Sequence, residues 1–256
     1  GTNDFSALSE PALDLADQYG GIYAGGDPAP LINSLVADFT TALDTIAGPA
    51  GSPTGVQVIV GNVGDWGAIP YAQLHGYTNP TGRANVTSAV IVANEEIRAI
   101  ALARGMPIVD IQGLLNLETG ASPLTIGDVS VILSSAPSDD QHYFTLPDKI
   151  HPGTLWQGLL ANAIIDAANV GYGANLTPFS DQELLAHAGI ADPHGGALTS
   201  YFPVSPYVET VPEPSSIALA VCGACALVAW RVSKCRKGQS IPSGCASIDA
   251  IGNCHE

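Results

Sequence analysis

Apolar residues recur at helical spacing in four segments of the chain. The spacing predicts three long helices, at about 28–46, 85–104 and 155–169, and a short one between Ser180 and Gly189. Prolines ahead of the first helix, a glycine behind the second and a threonine ahead of the third mark their ends. A Ser-x-x-Glu capping box opens the short helix.

Two other runs are short, rich in β-branched residues and almost continuously apolar. They cover residues 55–63 and 106–111. Such runs are typical of strands buried on both faces of a parallel sheet. Strands that alternate with helices predict an α/β layered fold. Two strands form too small a sheet for helices to cover both of its faces usefully, so we expect the sheet to be incomplete.

The last quarter of the chain has a different pattern. Residues 202–214 are rich in proline and predict an extended linker. An uncharged apolar stretch from Ile217 to Trp230 follows and predicts a single hydrophobic helix. This stretch is shorter than the ~20 residues that span a bilayer comfortably. Four cations within 231–237 form a basic cluster behind it.

The 256-residue chain has a formal net charge of −16, and it holds only four cations ahead of the basic cluster. These are Arg83, Arg98, Arg104 and Lys149. An acidic body repels phosphate backbones, which argues against a nucleic-acid partner. The five cysteines all fall near the C-terminus, so cysteine usage does not indicate a redox compartment. They are Cys222, Cys225, Cys235, Cys245 and Cys254.

Asp148 and His151 are the strongest candidates for catalytic chemistry. The carboxylate stands three residues ahead of the histidine, and Pro152 and Gly153 turn the chain into the next predicted helix. This arrangement suits a general base, because one imidazole nitrogen can take a proton while the carboxylate holds the other. Taken alone, an Asp-x-x-His pair is more often a surface ion pair or a helix cap.

The opening residues, Gly1-Thr2-Asn3-Asp4, add a second motif. Gly-x-Asn-Asp ahead of Asp-x-x-His-Pro resembles the third and fifth sequence blocks of the SGNH/GDSL hydrolases, in the family's order. The predicted strand that ends in Asn62-Val63-Gly64-Asp65 resembles the strand and following loop which those enzymes place between the two blocks. The resemblance covers roughly residues 1–170.

The resemblance implies a serine-type ester hydrolase that uses no cofactor and no metal. Asn3 would donate its side-chain amide to an oxyanion hole, a contribution typically worth ~2.7–4 kcal/mol of barrier lowering. Asp148 and His151 would be the acid and base of a Ser-His-Asp triad that works through an acyl-enzyme.

The family's nucleophile block, Gly-Asp-Ser, and its oxyanion-glycine block come before Gly-x-Asn-Asp, and nothing precedes Gly1 here. We therefore expect an N-terminally truncated chain that is inactive alone. The segment Gly127-Asp128-Val129-Ser130 has an inserted valine and follows the third block, so we interpret it as a turn. We expect surface positions for the four remaining candidate histidines, His75, His142, His187 and His194.

These observations predict a partial flavodoxin-like three-layer α/β sandwich with a parallel sheet whose first strands are missing, followed by one C-terminal hydrophobic helix. The predicted divisions are a hydrolase-like domain at 1–201, a linker at 202–214, a hydrophobic helix with its basic cluster at 215–237 and a cysteine-containing tail at 238–256. The loop 64–85 contains Trp66, Tyr71 and Tyr77, which would either face a substrate or pack half-buried.

The C-terminal pattern resembles the PEP-CTERM sorting signal of bacterial surface proteins. Pro212, Glu213 and Pro214 come first, followed by the apolar stretch and the basic cluster. The resemblance implies a sorting protease of the exosortase type as a partner. It also implies a membrane intermediate through residues 215–230, with the cations on the cytoplasmic side and the acidic body exported to the cell surface. Residues 238–256 depart from the pattern, because the signal usually ends at its cations.

An exported esterase is the first hypothesis, with a lipid, an acylated glycan or a small ester as substrate. The main alternative is a non-catalytic exported surface or matrix protein that binds glycans or partners. A third is a domain that binds divalent cations through its aspartates, although no EF-hand spacing is present.

Overall fold

The computed structural model describes residues 15–51, 53–74, 76–117, 124–131, 151–190 and 200–210. The chain forms two compact units, Gly1–Val211 and Pro212–Glu256, and all of the described residues belong to the first. Asn3, Asp148 and the whole predicted sorting segment lie outside the described residues. No helix within the described ranges is long and apolar enough to cross a membrane.

Helices hold 56% of the described residues. They are α1 (Leu15–Tyr23), α2 (Ala29–Ala47), α3 (Pro70–Leu74), α4 (Pro80–Ala103), α5 (Ile111–Asn116), α6 (Thr154–Tyr172) and α7 (Asp181–His187). All four predicted helices are confirmed, as α2, α4, α6 and α7. Helix α4 begins earlier than predicted, because the side chain of Asn79 accepts a hydrogen bond from the Thr81 N–H and caps it. The predicted capping box opens α7.

The strands are short. They are β1 (Val60–Gly61), β2 (Ile108–Val109), β3 (Leu124–Ile126), β4 (Val129–Val131) and β5 (Val208–Glu209). Strands β1 and β2 pair in parallel, with Val60 opposite Ile108, and β5 pairs antiparallel with the other edge of β2. Strands β3 and β4 form a separate hairpin.

Side chains bond to the backbone just before and just after β1. Before the strand, the Val58 N–H donates to the Tyr172 hydroxyl, which in turn donates to the Val58 carbonyl. After the strand, Val63 bonds through both its N–H and its carbonyl to the side-chain amide of Asn94. The predicted run 55–63 contributes only two residues to the regular ladder.

The predicted flavodoxin-like sandwich is wrong. Among the described residues the larger sheet has three strands in the order β1-β2-β5, and only one of its two pairings is parallel. The antiparallel strand β5 occupies the second edge of β2, so the sheet does not continue in parallel on that side. The small sheets are minor elements of a mainly helical domain.

Apolar side chains nevertheless cover both faces of β1 and β2. On one face, Val60 and Ile108 are buried in a cluster with residues of α1, α2 and α4. On the other face, Val109 packs with Ala163 and Ala167 of α6. The continuous apolar pattern of these two runs is explained by this two-sided burial. A third cluster joins the β3–β4 hairpin to the first half of α6 and to α7.

Residues 202–209 belong to the fold rather than to the linker that their prolines predicted. Val204 is buried, and Phe202 packs on two of the apolar clusters. The Asp110 N–H donates to the Tyr207 carbonyl at 2.8 Å, directly before the β2–β5 pairing. The prolines are tolerated because Pro206 lies in a 3-10 turn and not in the strand itself.

Candidate functional site

Polar side chains follow the carboxyl ends of both parallel strands. Asn62 comes directly after β1 and Asp110 directly after β2, and the Asn62 Nδ2 donates to the Asp110 Oδ1 at 2.7 Å. The Asn62 Oδ1 accepts from the Gln112 N–H at 3.0 Å. The Asp110 Oδ1 also accepts from the Gly113 N–H at 2.9 Å and caps α5. These bonds fix the start of α5 against the end of β1.

Asn94 extends this network into the core from α4. Its side chain is buried, and its Oδ1 accepts from the Val63 N–H at 2.8 Å. Its Nδ2 donates to the Val63 carbonyl at 2.8 Å and to the Gln112 Oε1 at 2.9 Å. Three of the four hydrogen-bonding positions of the amide are therefore filled.

A second buried polar group, Asp65, organises the loop after β1. Its Oδ1 accepts from the N–H groups of Gly67 and Ala68, at 3.0 and 3.2 Å, and from the Thr87 hydroxyl at 2.8 Å. All three donors are fixed by the fold. Asp65 therefore holds the loop against α4, which is a structural role.

The aromatic residues of the loop 64–85 pack inward. Trp66 is buried, and its carbonyl accepts a hydrogen bond from the Tyr19 hydroxyl. The ring of Tyr77 packs edge-on against Tyr19 and Tyr23. Burial, followed by the neighbouring tyrosines, raises the pKa of Tyr19 to about 12. Core packing thus accounts for Trp66 and Tyr77 without a substrate.

An open cleft of about 280 Å³ lies beside the network of Asn62, Asp110 and Gln112. We call it the α4–β5 cleft. One wall is the face of α4 from Ile91 to Arg98, and the other is residues 206–209.

Two features set the electrostatics of the α4–β5 cleft. The Arg98 guanidinium makes a two-point ion pair with the Glu209 carboxylate across its rim, and this contact raises the pKa of Arg98. Burial, with a smaller effect from the charge of Asp110, raises the pKa of Tyr207. The Tyr207 phenol therefore remains a neutral hydroxyl at physiological pH.

His151 lies on an exposed bend three residues ahead of α6. Its neighbour Pro152 accepts a hydrogen bond at its carbonyl from the Gln157 Nε2, at 2.9 Å, which ties the bend to the first turn of the helix. His151 does not line the α4–β5 cleft.

The direction of α6 shows at which end of the sheet His151 lies. Near the C-terminus of α6, Tyr172 bonds to Val58, and Gly171 packs so closely on Pro107 that a Cβ there would be 2.8 Å from the proline ring. Val58 and Pro107 both precede their strands. The helix therefore runs antiparallel to β1 and β2, and its length of roughly 28 Å extends past their carboxyl ends. His151 lies at that end.

The other sequence-based candidates fall into two groups. Ser130 is an exposed residue of β4, and Gly127 and Asp128 form the hairpin turn before it, as the turn interpretation predicted. His187 is exposed at the end of α7, where it packs edge-on against Phe179. The remaining candidates are not described by the structure: Asn3, His75, His142, Asp148 and His194.

The α4–β5 cleft was not predicted from the sequence. Its usable signal was the polar residue directly behind each apolar run, Asn62 and Asp110, since carboxyl ends of adjacent parallel strands meet at one edge. Among the described residues, no group of three or more His, Cys, Asp or Glu side chains could hold a metal ion.

Comparisons of the chain with protein-family models, with curated proteins and with solved structures find no match.

Proposed function

We propose that this chain carries the base side of a serine-type ester hydrolase, with His151 as the general base. The observation that supports the proposal is the placement of His151 before α6, beyond the carboxyl ends of β1 and β2. In α/β sheets this is the edge at which ligands bind. A histidine exposed on a bend tied to a helix is both reachable and held in place.

The proposed chemistry assigns one task to each residue. His151 removes the proton from a serine hydroxyl while the serine oxygen attacks the ester carbonyl, and it then returns the proton to the departing alcohol. Asp148 orients the imidazole and stabilises its protonated form. Asn3 donates to the oxyanion. Water then hydrolyses the acyl-enzyme by the reverse proton transfers.

The serine is a requirement of the proposal. The 256 residues contain no Gly-Asp-Ser. The proposal therefore requires that this motif be encoded ahead of Gly1 in the same reading frame. It also predicts that the 256-residue chain alone does not react with a fluorophosphonate probe, which labels activated serines.

The decisive experiment uses protein expressed from the complete reading frame and measures hydrolysis of p-nitrophenyl acetate. His151→Ala should lower kcat by roughly 10⁴–10⁶-fold, as loss of a triad histidine does in other enzymes. His187→Ala is the matched control, because His187 is also an exposed histidine next to a helix end. Its turnover should stay unchanged.

Equal turnover of the two variants would overturn the proposal and favour a non-catalytic surface or matrix protein. The sorting pattern around Pro212, Glu213 and Pro214 supports export of the protein in both cases, as an esterase or as a non-catalytic protein. An intact mass of the mature protein that ends near these residues is the expected sign of exosortase-type processing. The ester itself, whether a lipid, an acylated glycan or a small molecule, would follow from a substrate panel.

A further inference from the structure

We propose that the α4–β5 cleft binds a small organic cation, an ammonium group carried on a short alkyl chain. This binding site is separate from the proposed hydrolase chemistry, since His151 does not line the cleft. Four observations support it: the size of the cleft, its apolar middle, its charge and its prearranged polar end.

The size and the apolar middle decide how large the ligand is. At about 280 Å³ the cleft lies just below the range of drug-sized pockets, so a compact molecule fits it. Ile91, Ile108 and Val208 supply apolar surface along it. A short alkyl chain laid on these side chains would remove both surfaces from water.

The charge decides which kind of group the ligand carries. Three carboxylates, Glu95, Asp110 and Glu209, and one guanidinium, Arg98, line the cleft, which leaves a formal charge of −2. Glu209 and Arg98 neutralise each other through their ion pair. Glu95 also attracts the Arg98 charge, but one guanidinium cannot balance three carboxylates, so the lining keeps a net negative charge. An anionic ligand would be repelled, and the strongly acidic chain reinforces this preference.

The polar end supplies the groups that would hold the ammonium. The described hydrogen bonds to the Asp110 carboxylate, from Asn62 and Gly113, both end on Oδ1. The Oδ2 lies against Gly113, where an added Cβ would be 2.3 Å from it, so the Asp110 carboxylate acts on a ligand through its negative charge. Tyr207 lines the same end, and a neutral phenol ring attracts a cation to its face. Asn62 and the α5 backbone hold Asp110 before any ligand arrives, so binding costs little reorganisation.

The test is calorimetric titration of the 256-residue chain with three probes of equal shape: n-butylammonium, 1-butanol and butyrate. Butylammonium should bind, 1-butanol should bind at least about tenfold more weakly, and butyrate should give no heat. Raising the salt concentration should weaken butylammonium binding, because both partners are charged. Equal binding of the alcohol, or tighter binding of butyrate, would overturn the proposal, and so would the absence of heat with all three.

Two variants connect the binding to the cleft. Glu95→Gln and Asp110→Asn should each raise the Kd of butylammonium about tenfold, the loss of one close charge. Asparagine at 110 can still cap α5, so the fold is retained. Glu96→Gln is the control, because Glu96 is exposed on α4 next to Glu95 but does not line the cleft. If Glu95→Gln behaves like Glu96→Gln, the site is elsewhere and the proposal fails.

The result of the butylammonium titration is independent of the result of the ester-hydrolysis experiment. His151→Ala should leave butylammonium binding unchanged, and Glu95→Gln should leave ester hydrolysis unchanged. A failure of either proposal therefore does not decide the other.

Discussion

Asn94 is a polar residue on the buried side of a helix, and it takes the place of a neighbouring strand for Val63. It falls between Val90 and Ile97, which are both buried on the same face of α4. Helical spacing from these two residues puts position 94 on the buried face. It could not predict the partner, because Val63 becomes a neighbour only when β1 packs beside α4.

Replacing Asn94 by Leu should destabilise the domain by about 2–4 kcal/mol. The substitution leaves the N–H and the carbonyl of Val63 buried without their partners, and each such group costs about 1–3 kcal/mol. Urea unfolding followed by circular dichroism measures the change. Ser88→Ala on the exposed side of α4 is the control and should stay within about 0.5 kcal/mol of the unmodified chain. A cost below that of the control would show that water replaces the amide.

Sequence motifs predicted some residues of the candidate site but not the cleft. Asn3, Asp148 and His151 were identified by residue type and order alone, and of these the structure describes only His151. The α4–β5 cleft was missed because its walls come from residues more than a hundred positions apart, such as Arg98 and Glu209. No local pattern marks the pairing of Arg98 with Glu209, which meet only through tertiary packing.

At the scale of elements, the three longest helices and α7 were predicted, the short helices α1, α3 and α5 were not, and strands were predicted poorly. Apolar spacing and end signals are local, so α2, α4, α6 and α7 could be read from the chain. A strand is defined by its pairing with another strand, and only two residues of the apolar run 55–63 pair in this way. The close contact between the loop after β1 and α4 was also invisible, since it depends on one glycine.

Gly67→Ala should destabilise the domain by roughly 1–3 kcal/mol or more. A Cβ on Gly67 would lie 2.4 Å from the Arg83 carbonyl and 2.7 Å from the Thr87 backbone nitrogen, and neither can move without distorting α4. Gly21→Ala in α1 is the matched control. Nothing lies within 4 Å of a Cβ there, so alanine should stabilise the helix by about 0.5–1 kcal/mol. Thermal unfolding of both variants gives the two signs, and a stable Gly67→Ala would contradict the close contact.

At the scale of the whole molecule, the sequence predicted an α/β layered domain, and the structure describes a mainly helical one with small mixed sheets. The two apolar runs did become a parallel pair with helices on both faces. Their pattern does not say which segment fills the next edge. Residues 202–209 fill it in the antiparallel sense, although their prolines predicted a linker.

A chain that ends at Ser200 should therefore be less stable than one that ends at Thr210, by at least about 3 kcal/mol. The shorter chain loses the buried Val204, the packed Phe202 and the whole of β5. It also leaves Asp181 without the Phe202 N–H that donates to it at 2.7 Å. Urea midpoints of the two chains test this difference. Equal midpoints would indicate that residues 202–209 are a linker and do not stabilise the fold.

The amide of Asn94 also limits how the sheet can grow. The N–H groups of Val60 and Asn62 point toward β2, so that of Val63 points to the opposite edge of β1, where Asn94 occupies it. Any strand added along that edge could pair only as far as Gly61. Asn94 therefore fixes where a further strand would have to end, whichever chain supplied that strand.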